Sequence, residues 1–198
     1  MSTEEGYDHD HEDLYKLKLE KGDDHVAVYS HTDKEDVEYS IIFNDSDRRI
    51  TAFYEFSSAV YLPESEIVDL MMQKRNVKNF NGLLEFLDKL KNISEDPSVT
   101  SVYNWLMMYR SKLINAPIRS DGVRSIWIEY EGKDETFGFE IAFRPVIKII
   151  RLYLVSIRSI VFPESVYNKL RKSAKEIKNM NDFLNFINML NKVKSETS

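Results

Sequence analysis

Residues 61–93 of this chain are written again at 161–193 without a gap. The first passage reads YLPESEIVDLMMQKRNVKNFNGLLEFLDKLKNI and the second VFPESVYNKLRKSAKEIKNMNDFLNFINMLNKV. Identical pairs include Pro63/Pro163, Glu64/Glu164, Ser65/Ser165, Leu70/Leu170, Lys78/Lys178, Asn79/Asn179, Phe86/Phe186 and Leu90/Leu190. Val77/Ile177, Leu87/Ile187 and Ile93/Val193 change conservatively at spacings expected of buried positions. Self-similarity at a fixed offset outweighs any single motif, because both copies must suit the same local structure. The chain reads as a tandem duplication.

The same offset holds upstream. Val37, Tyr39, Ile41 and Phe43 fall on Phe137, Phe139, Ile141 and Phe143, and Val26 and Val28 on Ile126 and Ile128. Agreement in alternation is the mark of shared strands, whose side chains point to opposite faces with period two. Strands are expected at Leu14–Glu20, His25–His31, Val37–Phe43 and Arg49–Leu62, the last bending near Ser57 and Ser58. The connections Lys21–Asp24, Thr32–Glu35 and Asn44–Asp47 are short and polar, as tight turns require.

Pro63 then suits the start of a helix, where its missing N–H has no partner to lose. Asn79 and Asn81 flank a break, one suited to a left-handed turn and the other to capping the next helix. Leu83, Leu84, Leu87 and Leu90 form the next apolar stripe. Val99 to Leu113 has the spacing of a connecting helix, and Pro117 weakens the first strand of the second half. Second-half strands are expected over Arg124–Tyr130, Thr136–Phe143 and Val146–Phe162.

The expected class is α+β: a four-stranded antiparallel meander followed by a helical hairpin, duplicated, with the halves related by an approximate two-fold axis. The parts are an acidic tail (1–13), a first repeat (14–93), a connecting helix and linker (94–124) and a second repeat (125–198). The tail lacks apolar residues and is expected to be disordered. Its Asp8–Glu12 run reads as a solvated acidic stretch rather than a chelating site.

Composition narrows the function classes. No apolar run reaches the roughly 18 residues of a membrane span, no secretory leader is visible, and there is no cysteine. A cytoplasmic protein without membrane partner or cofactor is the expectation. The formal net charge of −6 is carried by the six acids of residues 1–13, while Arg144–Lys178 holds nine basic residues against Glu164 and Glu176. Segregated charge of this kind bears on partners more than the total does.

No catalytic constellation is present, and the expectation is a non-enzyme. The histidines lack metal-ligand spacing, and neither a phosphate-binding glycine loop nor a nucleophile elbow occurs. The strand faces are more informative. With Ile126, Ile128 and Tyr130 turned to the helices, Trp127 and Glu129 face away; Glu140, Ala142 and Arg144 do the same on the next strand. The long strands place Ile147, Ile149, Arg151, Tyr153, Val155 and Ile157, and in the first half Arg49, Thr51, Phe53 and Glu55, on that second face.

Rings among cations on an open sheet suit single-stranded nucleic acid, whose bases stack and whose phosphates are held electrostatically. The candidate binding residues are Trp127, Arg144, Lys148, Arg151, Tyr153, Arg158, Arg49 and Phe53. The bland reading of these rings is burial between packed halves.

A meander followed by helix, twice over, resembles the Whirly and Pur-alpha group of single-stranded nucleic-acid-binding proteins. The junctions Ala59-Val60-Tyr61-Leu62-Pro63-Glu64 and Ser159-Ile160-Val161-Phe162-Pro163-Glu164 look like the last-strand-to-helix junctions of that group. The archaeal ThermoDBP proteins are a further comparison. The resemblance spans about 25–93 and 125–193, and it implies single-stranded DNA or RNA as partner, DNA first. This chain departs from the group in the second helix of each hairpin, in lacking lysine-rich loops, and in its acidic first half. The competing expectation is a protein-interaction or regulatory scaffold module, with a homo-oligomer as one of its forms.

Overall fold

A computed structural model describes residues 17–122 and 124–197. The acidic tail, with its Asp8–Glu12 run, and the start of the first expected strand lie outside them. The fold is α+β, with an eight-stranded antiparallel sheet in the order β1-β2-β3-β4-β8-β7-β6-β5. The strands are β1 Lys18–Lys21, β2 His25–His31, β3 Glu35–Asn44, β4 Arg49–Tyr61, β5 Arg119–Asp121, β6 Ser125–Glu131, β7 Glu135–Arg144 and β8 Ile149–Val161. Among the described residues the helices are α1 Glu64–Gln73, α2 Phe80–Ser94, α3 Pro97–Met108, α4 Arg110–Leu113, α5 Glu164–Lys175 and α6 Met180–Thr197. None is long and apolar enough to cross a membrane.

Two compact units cut across chain order. One takes the chain up to His31 with Val37–Tyr54 and Ile157–Ser198; the other takes Thr32–Asp36 and Glu55–Ser156. In the first unit, Val26, Val28, Ile41, Phe43 and Ile50 pack with Tyr167, Leu170 and Ala174 of α5 and Phe183, Phe186 and Leu190 of α6. The helices that follow β8 therefore cover β2 and β3. Phe43 meets Tyr167 and Phe186 edge-on, each at 6.2 Å between centroids. Lys21 closes the end of α5 by donating to Lys175 O at 2.7 Å and Ile177 O at 2.8 Å, carbonyls with no partner inside the helix.

In the second unit, Phe137, Phe139, Ile141 and Phe143 of β7 and Ile150, Leu152 and Leu154 of β8 are buried, as are Ile67 and Leu70 of α1. Phe143 packs edge-on against Phe86 of α2 at 5.9 Å. Burying one such side chain stabilises by about 1.5–3 kcal/mol, so the β7 row is a large share of the core. Lys74 is buried in the 3-10 turn after α1, where its Nζ donates to Ser120 Oγ at 3.1 Å and to Gly122 O.

Several elements differ from the sequence expectation. The connecting helix breaks at Tyr109, whose ring stacks on Phe137 at 4.1 Å and whose hydroxyl meets Ser156 Oγ at 2.7 Å. That anchorage holds Tyr109 at φ −100°, ψ 10°, and α3 ends there. Asn79 has extended geometry and accepts from Gly82 N, so it is the cap of α2; Asn81 lies inside the helix and neither adopts a left-handed turn. Val146 to Lys148 form a turn rather than the start of a strand. Lys148 takes φ 59° there and its N–H donates to Pro145 O at 3.1 Å. On β4 the alternation is lost at Ser58, Ala59 and Val60, all buried, at the expected bend.

Candidate nucleic-acid interface

Alternation on β8 separates two faces. Ile150, Leu152, Leu154 and Ser156 are buried, whereas Ile149, Arg151, Tyr153 and Val155 between them are half-buried. The outward residues of the second unit meet across strands. Arg119 of β5 pairs with Trp127 of β6, and Trp127 with Glu140 of β7. Glu140 is close enough to raise the Tyr153 pKa, and the Tyr153 hydroxyl donates to Glu55 Oε2 at 2.9 Å. Arg151 donates from Nη1 to Ser57 Oγ at 3.0 Å. Val155 borders Gly138, where an added Cβ would stand 3.5 Å from its Cγ1.

This row carries two rings, two arginines and two carboxylates. Desolvation, then the hydrogen bond to Glu55 and the charges of Glu55 and Glu140, push the Tyr153 phenol up to about 12. The Arg151 guanidinium and the Tyr153 hydroxyl are thus each held by a neighbour on β4. Side chains held in this way have less rotamer freedom to lose on meeting a partner.

The remaining sequence candidates lie elsewhere. Arg144 and Lys148 are exposed at the β7–β8 turn. Arg49 and Phe53 belong to the first unit, half-buried on β4. Beside them Thr51 and Ser159 share a hydrogen bond of 2.8 Å. Arg49 donates to Asp47 Oδ2 at 3.0 Å, a carboxylate that competes with any phosphate. Arg158 has the parity of Leu152 and Leu154 and bonds to the hydroxyl of Tyr39, a ring packed on the first unit's core. That contact puts it on the side of the first unit that α5 and α6 cover. Tyr39 is raised mainly by burial, and the Arg158 charge and hydrogen bond oppose that.

Parity alone singles out Trp127, Arg151 and Tyr153. It does not reveal that the Tyr153 hydroxyl donates to Glu55 or that the charge of Glu140 acts on it, which depends on which strands neighbour β8. A second feature is unmarked by any motif. A groove of about 420 Å³ in the second unit is lined by Met71, Arg124, Phe143, Arg144, Pro145, Val146 and Ile147. Its one signal in the sequence is Val146 and Ile147, which stand where the offset of one hundred has Ser46 and Asp47. No family model, curated protein or solved structure matches this chain.

Proposed function

We propose that this protein binds single-stranded nucleic acid, DNA in the first instance, on the outward face of the second unit. Trp127 and Tyr153 are the stacking platforms and Arg151 the phosphate or base-stacking cation. The observation that carries the reading is the half-buried outward row of β8, in which Arg151 and Tyr153 are fixed by Ser57 and Glu55. The carboxylates of Glu55 and Glu140 suit the exocyclic amines of bases, so recognition along the row extends beyond the backbone.

The fold reading behind this is a tandem duplication of the Whirly and Pur-alpha kind, in which residue n superposes on n+100. Support comes from backbone hydrogen bonds that recur at that offset. Phe43 N and Phe143 N donate to Asp24 O and Arg124 O, and Thr32 N and Gly132 N donate to Glu35 O and Glu135 O.

Fluorescence anisotropy of a labelled oligothymidylate, titrated at several salt concentrations, tests the function. Tyr153→Ala should weaken binding by about five- to a hundredfold, the range for losing one stacked base, with an unchanged salt slope. Arg151→Glu should weaken binding and flatten the slope by about 0.7 for each phosphate it no longer neutralises. Thermal melts report folding of each variant. Wild-type protein that fails to bind at low salt, or folded variants that bind as wild type does, would remove the reading.

A further inference from the structure

A second surface of the same unit calls for a different partner. The groove beside α1 has an aliphatic floor and a basic rim. Val146 is 84% and Ile147 60% exposed at the tip of the β7–β8 turn. Met71 reaches the groove from α1. Arg124 and Arg144 line it, Lys148 follows Ile147, and none of the described lining residues is acidic. Neither arginine forms an ion pair among the described residues. Contiguous exposed apolar surface rimmed by one sign of charge marks an interaction site rather than a scattering of surface residues.

The turn between β3 and β4 shows that the fold does not require this. There Asn44 Oδ1 accepts from Ser46 N at 3.1 Å and Ser46 Oγ at 2.6 Å. Asp45 is bound by the hydroxyl of Tyr167 and by Arg171 Nε at 3.2 Å. That turn satisfies itself with polar groups. The β7–β8 turn gives the corresponding positions to Pro145, Val146 and Ile147.

We propose that the Met71–Val146–Ile147 surface docks an acidic amphipathic polypeptide segment, its apolar side chains in the groove and its carboxylates on Arg124, Arg144 and Lys148. Guanidinium forks match carboxylates in paired hydrogen bonds, which favours acidic flanks. A second copy docked patch to patch would set these cations against their own counterparts. A nucleic acid strand would find no exposed ring, since Phe143, the groove's aromatic, is buried. In helix-in-groove recognition the partner's spaced apolar side chains enter a hydrophobic groove, which Met71, Val146 and Ile147 supply here.

The test uses the full chain and a fluorescein-labelled model peptide with leucines at helical i, i+3, i+4, i+7 spacing and glutamates elsewhere. A peptide with lysines in place of the glutamates is the control. The glutamate peptide should bind saturably and the lysine peptide should not. Ile147→Asp and Arg144→Glu should each weaken it by roughly tenfold or more, as removal of one anchor does. Both residues are exposed, so the fold should survive, and Ile147→Ser provides a milder change of the same sign. Absent binding, or binding that these variants leave unchanged, overturns the proposal. So does sedimentation showing that Ile147→Asp converts a dimer to a monomer, which makes a second copy the occupant. Loss of oligothymidylate binding by Ile147→Asp with peptide binding intact would assign the surface to nucleic acid instead.

Discussion

Replacing Tyr153 by phenylalanine separates the ring, which the proposed function needs, from the hydroxyl, which holds it. The hydroxyl donates to Glu55 Oε2 at 2.9 Å on a half-buried face. A hydrogen bond to a charged group contributes about 1.5–3 kcal/mol. The pH dependence concerns a different quantity, what is lost when the phenol ionises. The phenol is raised from 10.0 to about 12, by desolvation first and then by Glu55. Each unit corresponds to about 1.4 kcal/mol, so the full shift would amount to roughly 2.7 kcal/mol. Solvent reaches this face and screens the charge of Glu55, which brings the figure down to about 2 kcal/mol. Desolvation is the larger cause, so the hydrogen bond to Glu55 accounts for only part of this.

The sign follows from linkage. A tyrosine pKa raised in the folded state means that the folded protein holds this proton more tightly. Its stabilisation is fully present below about pH 10 and is lost as pH rises through about 12. Tyr153→Phe should lower stability by about 1.5–3 kcal/mol at neutral pH through loss of the hydrogen bond, or the melting temperature by about 3–12 °C for a chain of this length. The gap to wild type should narrow by up to about 1.4 kcal/mol per pH unit above pH 10. Tyr39 and Tyr167 are raised in both proteins, so the difference between variants isolates Tyr153. The assay is chemical denaturation across pH, with phenolate absorbance as a direct titration. A gap below about 0.5 kcal/mol that does not change with pH would refute the Glu55 bond and with it the fixed ring. Oligonucleotide affinity at neutral pH should fall less than in Tyr153→Ala, because the ring remains although its hydroxyl no longer holds it.

Two further changes probe the scaffold. Phe137→Ala removes a ring with no exposed surface that stacks on Tyr109 at 4.1 Å, and should cost about 3–5 kcal/mol by denaturant titration. Asp45→Asn tests a carboxyl held below its ordinary pKa by the hydrogen bonds from Tyr167 and Arg171. A depressed carboxyl stabilises above its unfolded pKa of about 3.9 and loses that contribution as pH falls through the folded value. Melting temperatures of wild type and variant should thus differ at neutral pH and converge in acid.

Much of the strand pattern is legible because helices cover one face. On β7, Phe137, Phe139, Ile141 and Phe143 alternate strictly, and the structure buries all four. His25–His31 is a strand over the residues that alternation marks. The turn at 145–148 looks like strand in the sequence because Val146 and Ile147 are β-formers, yet Lys148 at φ 59° reverses the chain there. Propensity loses to turn geometry. Which helices cover which strands is not legible at all. α5 and α6 repeat the apolar pattern of α1 and α2, so either pair offers the same stripe to either set of strands. Non-local pairing decides between them. Phe162 N bonds to Arg48 O and Leu62 N to Lys148 O, which seats each helix start beside the turn of the other half. The Tyr153–Glu55 bond is hidden for the same reason, since it spans 98 residues. Arg158 differs: its parity already places it with Leu152 and Leu154, and only its charge argues for the outward face.

The two turns beside the helix starts bring fold and function together. Arg48 and Lys148 share φ 59°, and each accepts at its carbonyl from the residue before a helix-starting proline, Phe162 and Leu62. The backbone task is the same in both places, so it imposes no difference in side chains. Yet one turn carries Asp45 bonded to Tyr167 and Arg171, and the other carries Val146 and Ile147 in solvent. Leaving such side chains exposed forgoes about 1.5–3 kcal/mol apiece relative to burial. A polar turn on the same backbone would avoid that loss, as Asn44 to Asp47 do. Packing within the unit does not recover it, because both residues remain open beside Met71 and the arginines. The apolar turn is thus a choice that folding does not explain and that a partner covering the groove would.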